Sequence, residues 1–368
     1  MKKIIKLTRL GMIVLGVASL ASCKNFDREF PDFDYTTGYF PYQYPVRTLI
    51  LGNYIYDNSN DNAHRFLITA AMGGVRENTE KRAFRFVVDY SLCNNAYFDD
   101  SNAILPLPAD YYTLVSPEGT EYGNVEGEIV IPAGQLNGSV EVRLTDAFFD
   151  DPLAIGNHYV VPLRIIETSN IDSLLQGLPL GASGDCRIAG QWATVPMDFT
   201  MFGIKFVNPW HGTWLHSGHA TLKDAATGNL LGENSYRAAY VEENELWTLT
   251  TSGRKSATLT GDFKIGSPAG TGDPAWFDSP FMLSLQFESD NHLTEGGIAC
   301  TVSSGDGACT VNGNGKYTVD AETYGGKKRD AIYLSYTLSN GSYTYSATDT
   351  LVFRDKGVKL ETYTPIIH

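Results

Sequence analysis

The chain has 368 residues and a formal net charge of −14 at neutral pH, and its length predicts two domains. Such a charge repels phosphate groups, so it argues against nucleic acid as a partner and against electrostatic docking on anionic lipid. Valine, isoleucine, threonine and tyrosine recur in short alternating runs between turn residues, whereas helical periodicity is almost absent. This pattern is typical of an all-β protein with antiparallel strands.

The first 22 residues have the order of a secretory signal peptide, with a basic start, a short apolar run and small residues before a cysteine. The segment Leu20-Ala21-Ser22-Cys23 resembles the bacterial lipobox, in which the cysteine receives lipid. We therefore expect cleavage before Cys23 and a membrane anchor of acyl chains on that residue. Residues 1–22 are then the signal peptide and 23–34 a polar, acidic tether. A cysteine at the end of an ordinary signal peptide is the alternative.

Residues 35–195 predict a β-sandwich of the immunoglobulin kind. About seven strand-like runs occur there, and runs such as Ser139–Leu144 alternate apolar with polar residues, which gives each strand one apolar face. Breaks rich in proline or glycine, as at 105–108 and 131–134, separate the runs. The Cys…Trp…Cys pattern of true immunoglobulin domains is absent from the sequence.

Residues 196–368 predict a lipocalin-like antiparallel meander barrel. Eight or nine strand-like runs follow one another, and tight-turn sequences such as Asn312-Gly313 and Asn340-Gly341 link them. Closing such a meander leaves no exposed edge strand. The residues His211-Gly212-Thr213-Trp214 are similar to the Gly-x-Trp start of lipocalin-like barrels.

The whole chain resembles Bacteroidetes surface lipoproteins that take part in polysaccharide utilisation. The resemblance rests on the lipobox, on the segments 105–112, 129–134 and 159–165, and on a C-terminal half that runs from 208–212 to 349–355. It implies an adhesin-like N-terminal domain of unknown function, a lipocalin-like C-terminal domain and glycan capture for an outer-membrane transporter. Some relatives carry a chitinase-like hydrolase barrel, but its Asp-x-x-Asp-x-Asp-x-Glu motif is absent here, so no enzymatic role is carried over from them.

No familiar catalytic, phosphate-binding or dinucleotide-binding motif occurs in the sequence. Adjacent acidic residues point to opposite faces of a strand and do not provide the separation that glycosidases need. His211, His216 and His219 would converge on a metal only if their strand were bent, so a polar barrel mouth is the default interpretation. The run Asp57–Asp61 lacks the later ligands of a calcium loop and is interpreted as a turn. We expect no enzymatic activity, metal or cofactor.

Aromatic side chains are the remaining functional signal, because an exposed ring offers a rigid apolar face to the C–H face of a sugar. Trp276 and Phe277 follow a Gly-rich loop, which favours exposure, and two other candidates lie at the domain junction. Neighbouring carboxylates are placed to bond sugar hydroxyls. The candidate glycan-binding residues are Trp276, Phe277, Asp273, Asp278, Trp210 and His211. For each ring, packing in a core or a domain interface is the alternative.

Four cysteines follow Cys23 in the sequence, and export would allow them to oxidise. Cys300 and Cys309 flank a Gly-rich turn and are the candidate pair for a disulfide that staples a β-hairpin. Four free thiols, with Cys93 and Cys186 as the other two, are the alternative, because a chain of this length needs no disulfide for stability.

The leading hypothesis is a noncatalytic glycan-binding lipoprotein, anchored in the outer membrane and facing the cell exterior. Its expected partners are a polysaccharide or oligosaccharide and components of an outer-membrane glycan transporter, with the membrane contacted through lipid alone. The alternatives are a glycan-acting hydrolase whose carboxylates are brought together by folding, and an adhesin or assembly subunit that binds protein.

Overall fold

The computed structural model describes residues 33–268 and 274–368, and strands dominate these residues. Cys23, the predicted signal peptide, most of the tether and Asp273 lie outside the described residues. None of the helices in this part of the chain has the length and apolar character needed to cross a membrane.

The strands of the N-terminal half, with two from the C-terminal end, are β1 (Thr37–Tyr39), β2 (Pro45–Ile50), β3 (Arg65–Gly73), β4 (Arg82–Val88), β5 (Ala96–Asp99), β6 (Asn102–Ala103), β7 (Leu105–Pro106), β8 (Tyr112–Val115), β9 (Glu121–Gly123), β10 (Glu126–Ile131), β11 (Asn137–Leu144), β12 (Tyr159–Ser169), β13 (Ser173–Leu174), β14 (Leu178–Pro179), β15 (Trp192–Thr194), β16 (Phe199–Val207), and, after the strands of the C-terminal half, β26 (Glu361–Thr362) and β27 (Ile366–Ile367). The strands of the C-terminal half are β17 (Gly212–Asp224), β18 (Leu230–Tyr236), β19 (Glu245–Gly253), β20 (Ser256–Gly261), β21 (Phe281–Phe287), β22 (Ile298–Ser304), β23 (Thr310–Tyr324), β24 (Lys327–Ser339) and β25 (Tyr343–Asp355). The α-helices are α1 (Ser59–Asn62), α2 (Asp146–Asp150) and α3 (Pro274–Asp278), and the 3₁₀ helices are Tyr90–Cys93, Ala109–Tyr111, Pro152–Ile155, Ala189–Gln191 and Val241–Glu243.

Two sheets form the predicted sandwich. One has the strand order β13-β1-β3-β11-β8-β9, and the other has the order β10-β4-β12-β16-β2-β26, with β7 beside β12. Alternate residues of the strands point into one apolar core, which includes the fully buried rings of Phe84, Phe86 and Phe206. The period of two read from the sequence therefore places the apolar faces against each other.

The sandwich extends past the predicted domain boundary at residue 195. β16 pairs antiparallel with β12 and parallel with β2, so it is an interior strand of the seven-stranded sheet. At the other end of the chain, β26 pairs with β2 and β27 pairs with β5. The sequence between β16 and β26 is thus the barrel, and these two flanking strands belong to the sandwich, while β27 joins a small sheet with β5 and β6.

The C-terminal half is a closed antiparallel barrel of eight strands, β17 and β19 to β25. β17 pairs with β19 through its first residues and with β25 along most of its length, and this second pairing closes the meander. β18 pairs with the later part of β17, where β19 is no longer its neighbour. The predicted all-β fold, with a sandwich followed by a meander barrel, is confirmed.

Large side chains fill the inside of the barrel. Trp214, from the Gly-x-Trp segment, is fully buried, and its indole N–H donates a hydrogen bond to the Trp210 carbonyl at 3.0 Å. Trp247, Phe281 and Tyr345 belong to the same core. In this molecule the barrel interior is packed, and the grooves described below lie outside it.

Candidate functional site

The predicted aromatic platform near residue 276 belongs largely to the barrel core. The residues after the Gly-rich loop form α3, which turns Trp276 and Phe277 toward the barrel. The Phe263 ring lies 4.5 Å from the Trp276 ring and 5.6 Å from the Phe277 ring, centroid to centroid, and Phe277 is only 7% exposed. Asp278 stays exposed. The expected exposure of this ring pair is therefore corrected, because a short helix replaces the expected loop and points the rings inward.

Trp210 is also a core residue and not an exposed platform. It is fully buried, and its ring stacks on Phe287 with centroids 3.6 Å apart and planes 6° from parallel. Both faces of a stacked, buried indole are unavailable to a sugar, so the prediction that Trp210 contacts a ligand is corrected.

Of the two alternatives for Cys300 and Cys309, the structure has the free thiols and not the disulfide, because the hairpin register separates the two residues. Both thiols are free, as are Cys93 and Cys186. Cys300 of β22 is paired with Gly315 of β23, whereas Cys309 lies just before β23 begins. At about 3.3 Å per residue, the segment between Cys309 and Gly315 spans about 20 Å, far more than a disulfide bridges.

A polar cluster lies inside the barrel around Asp349. The carboxylate has no exposure and accepts hydrogen bonds from the hydroxyls of Tyr236 and Tyr336, the latter at 2.7 Å. The His216 ring nitrogens lie 3.3 Å from an Asp349 oxygen and 3.5 Å from a Glu245 oxygen, although neither contact has hydrogen-bond geometry. Burial, followed by the Asp349 charge, raises the pKa of both tyrosines well above the ordinary value, so they remain donors. We interpret the cluster as structural, because it is enclosed by the barrel wall.

A groove at the junction of sandwich and barrel has the features of a binding site. It consists of two hollows of about 290 and 520 Å³ that share Thr48, Val358 and Lys359. The tyrosine hollow is the one lined by β2, Tyr54 and Tyr56. The histidine hollow is lined by β16, β19 and His211. We call the two hollows together the junction groove; sites between domains are common places for ligands.

Two tyrosine rings, partly buried Tyr54 and exposed Tyr56, form the aromatic surface of the tyrosine hollow. The Tyr54 and Tyr56 centroids are 5.5 Å apart in an edge arrangement, and Tyr56 is 69% exposed. Leu360, on the opposite chain segment, is also exposed. A pair of rigid rings with polar hydroxyl tips is suited to a ligand that has apolar faces and hydroxyl edges.

The loop that carries these tyrosines is fixed between the two domains. The Asn58 side chain donates a hydrogen bond to the Gly52 carbonyl at 2.8 Å, and the Asn53 side chain donates to an Asp330 oxygen of the barrel at 3.1 Å. Gly52 has φ +85°, and a Cβ there would lie 2.8 Å from Pro209. Only glycine fits this close approach without strain, so the loop is held in place before any ligand binds.

The carboxylates beside the junction groove are placed as hydrogen-bond acceptors. Asp61 is paired with Arg47, and Glu361 is paired with Lys205 at 2.8 Å. The pKa of exposed Asp57 is lowered, first by a hydrogen bond from the backbone N–H of Ser59. Ionised carboxylates accept hydrogen bonds from hydroxyls, whereas a glycosidase acid must hold a proton.

His211 is the predicted site residue that does lie in the groove. Its Nδ1 accepts a hydrogen bond from the Thr251 backbone N–H at 3.2 Å, so Nε2 is the protonated nitrogen of the neutral ring. Burial, followed by the positive charges of Lys356 and Lys205, lowers the pKa of His211 to about 4. The ring is therefore a neutral donor at physiological pH.

The sequence alone does not single out Tyr54 and Tyr56. The adjacent run Asp57–Asp61, interpreted as a turn, forms the start of α1 and supplies the buried partner of Arg47. The available signal was the position of two aromatic residues directly before a polar turn, outside any alternating strand pattern.

A second groove, which we call the outer groove, crosses the outside of the barrel and has a volume of about 720 Å³. It spans β18, β17, β25, β24 and β23, and Tyr333 provides a half-exposed ring. The other outward side chains along it are mostly neutral and polar: His219, Ser235, Asn314, Ser335, Thr348 and Thr350. His216 and His219 thus lie on opposite sides of the barrel wall, as the alternation of β17 requires.

Comparisons with known proteins identify relatives but no activity. The model of a domain of unknown function, DUF5627, matches residues 209–357, and a model described as an N-terminal domain matches residues 33–172. A crystal structure of a Bacteroides ovatus protein of unknown function, from structural genomics, is 35% identical, covers 91% of this chain and 100% of that chain, and has a TM-score of 0.78. A multidomain protein including DUF1735 from Bacteroides ovatus, 10% identical over 89% of this chain and 99% of that chain, has a TM-score of 0.37, too low to compare folds. No curated protein matches the chain.

Proposed function

This chain belongs to the family of the Bacteroides ovatus protein of unknown function, and from that premise we propose that it is a noncatalytic glycan-binding protein of the cell surface. The observation that carries the proposal is the ring pair of partly buried Tyr54 and exposed Tyr56, on a loop fixed at the junction of two domains. The junction groove is the sugar-binding site in this proposal.

The chemistry of the junction groove suits a sugar chain. A pyranose ring packs its C–H face on Tyr56, while its hydroxyls donate to ionised Asp57 and accept from Nε2 of His211 further along the groove. Because two hollows meet at Thr48 and Lys359, adjacent sugar units can occupy them in sequence. Loop fixation through Gly52 lowers the entropy lost on binding.

The proposal includes attachment to the outer membrane through lipid on Cys23, with the grooves facing the cell exterior and transporter components nearby. Its support is the lipobox-like sequence before Cys23. Cys23→Ser is expected to move the protein from the membrane fraction to the soluble fraction of its native host. Unchanged fractionation of that variant would remove this part of the proposal.

Glycan binding is tested with the full chain in a non-sugar detergent, by affinity electrophoresis on a panel of polysaccharides and calorimetry with derived oligosaccharides. The double variant Tyr54→Ala/Tyr56→Ala should weaken binding at least about tenfold, or about 1.4 kcal/mol, because it removes the ring platform. Tyr42→Ala is the matched control, since Tyr42 is similarly exposed outside the groove. Tyr42 and Tyr56 are exposed and Tyr54 is only partly buried, so the fold should be retained, and circular dichroism of each variant verifies it.

Three results would count against this function. Retention of no polysaccharide from a broad panel would contradict glycan binding, and equal losses in the control and the double variant would contradict the site. Release of reducing ends from a bound polysaccharide would instead identify a hydrolase.

A further inference from the structure

We infer that the outer groove is a second saccharide site, separate from the junction groove, and that it binds a sugar segment carrying an anionic group, a uronate carboxylate or a sulfate ester. The inference goes beyond the proposed function, because it concerns a different surface and a narrower ligand class. It starts from two unpaired cations at the groove.

Arg237 and Lys316 are exposed and line the outer groove. Within the described residues, neither forms an ion pair or side-chain hydrogen bond, whereas cations such as Arg164 and Arg254 are paired with carboxylates. The chain carries a net charge of −14, so carboxylates to neutralise these two cations are abundant in its composition. Their isolation leaves two donors for an anion from outside the protein.

The strand register places the two cations at opposite ends of the groove. Arg237 follows Tyr236, which pairs with Gly218 of β17, and Lys316 pairs with Tyr333 of β24. Four strand steps separate β18 from β23, so at about 4.8 Å per step their backbones are about 19 Å apart along the curved wall of the barrel. A single small anion cannot contact both, but an oligosaccharide with acid groups on several units can.

The surface between the cations is suited to sugar hydroxyls. Thr348, Ser335 and Asn314 lie in one row across neighbouring strands, because Thr348 pairs with Ser335 and Ser335 pairs with Asn314. These neutral side chains both donate and accept hydrogen bonds. His219 Nδ1 lies 2.9 Å from the Ser235 hydroxyl at one end of the same row.

Tyr333 supplies an oriented ring in the middle of the groove. Its hydroxyl donates a hydrogen bond to a Glu322 oxygen at 2.9 Å. Burial, followed by this contact, raises the pKa of Tyr333 to about 12, so the donor is retained. Glu322 also lines a small hollow beside Arg237, but that carboxylate is engaged by the phenol and lies beyond ion-pair distance of Arg237. The groove thus combines a fixed ring, a row of hydroxyls and two free cations.

The test compares three oligosaccharides of equal length by calorimetry with the full chain: oligogalacturonate for carboxylates, a chondroitin sulfate fragment for sulfate esters, and a neutral galactan fragment. We expect at least one acidic probe to bind more tightly than the galactan, with an affinity that falls as NaCl rises from 50 to 300 mM. Tighter binding of oligogalacturonate would indicate recognition of carboxylates, and tighter binding of the chondroitin sulfate fragment would indicate recognition of sulfate esters.

Variants then locate the site. Arg237→Gln/Lys316→Gln should weaken binding of the acidic probe at least tenfold, whereas Lys328→Gln, an exposed lysine outside the groove, should change it less than twofold. Tyr333→Ala should weaken the same probe, and Tyr54→Ala/Tyr56→Ala should not. All of these residues except partly buried Tyr54 are exposed, and circular dichroism of each variant verifies the fold.

The inference is overturned if the acidic probes bind no better than galactan, or if Arg237→Gln/Lys316→Gln binds them with unchanged affinity. It is also overturned if Lys328→Gln weakens binding as much as the double variant, because the probe would then respond to the overall charge and not to the groove. Binding of galactan alone would leave the junction groove intact and reject only the outer groove. Binding of none of the three probes would reject the outer groove, while the polysaccharide panel decides the proposed function independently.

Discussion

The sandwich and the barrel are both all-β modules with buried aromatic cores, but they are assembled in different ways. In the barrel, each strand from β19 to β25 pairs with its neighbour in sequence. In the sandwich, β16 lies between β2 and β12, and β26 from the end of the chain covers β2. All strands of the barrel therefore come from one continuous segment of the chain, whereas the sandwich requires residues from before and after the barrel.

The largest effect is expected from cutting the chain at the boundary that the sequence suggested. A fragment of residues 35–195 lacks β16, so β2 loses its neighbour and the seven-stranded sheet loses an interior strand. We expect no cooperative unfolding transition from this fragment, and a cooperative one from residues 208–358. Thermal unfolding followed by circular dichroism measures both. A sharp transition for the 35–195 fragment would contradict the dependence of the sandwich on β16.

The second largest loss of stability is expected from substitution of Asp349 in the barrel core. Asp349→Ala leaves the buried hydroxyls of Tyr236 and Tyr336 without their acceptor, so we expect a loss of about 3 kcal/mol in the free energy of unfolding. Asp349→Asn keeps one acceptor oxygen and should cost less.

The matched control for Asp349 comes from the sandwich surface. Glu167 pairs with Arg85 at 3.5 Å and is exposed, so Glu167→Ala should cost less than about 0.5 kcal/mol. Urea titrations of the three variants measure the difference. Similar losses for Asp349→Ala and Glu167→Ala would contradict the structural role of the buried cluster.

His211, at the junction of barrel and sandwich, should make the free energy of unfolding depend on pH. Because the pKa of His211 is lowered to about 4, the folded protein binds fewer protons than the unfolded chain between that value and the ordinary histidine pKa of about 6.5. With respect to His211, the protein therefore keeps its full stability above pH 6.5. As the pH falls toward 4, protonation of His211 in the unfolded chain lowers the free energy of unfolding by at most about 3 kcal/mol.

The His211 prediction is measured as a difference between two proteins. His211→Asn keeps an acceptor for the Thr251 N–H but does not titrate in this range. Urea unfolding of both proteins at pH 7, 6 and 5 should give a steeper pH slope for the natural chain. Parallel slopes would show that burial does not perturb His211.

The fold was predictable to the level of module and strand type, because alternation and tight turns act locally. Asn340-Gly341 links β24 and β25, which are adjacent in the barrel. Asn312-Gly313, by contrast, lies within β23, where Gly313 pairs with both β22 and β24, so its prediction as a turn is wrong. The placement of β16 was not predictable, because its partners β2 and β12 are distant in sequence. A local sequence pattern does not indicate which distant strand a given strand will pair with.

The candidate binding surfaces were less predictable than the fold. Trp276 and Phe277 follow a Gly-rich segment, which favours exposure, yet α3 turns them into the core. Tyr54 and Tyr56 line a groove because β2 and residues 358–360 meet around them. His211 was identified from its place at the junction, and the structure places it in the histidine hollow. Exposure of a ring depends on tertiary neighbours, and these are absent from a local window of sequence.

The smallest expected effect concerns the thiols, which differ in burial and not in pairing. Reducing agent should shift the free energy of unfolding by less than about 0.5 kcal/mol, because Cys300 and Cys309 are separated by the register of β22 and β23. Burial raises the pKa of Cys300 to about 12, and Cys309 is only partly buried. A thiol reagent should therefore modify Cys309 well before Cys300 in the folded protein. Equal reaction rates, or a large loss of stability on reduction, would mean that the barrel hairpin has another register in solution.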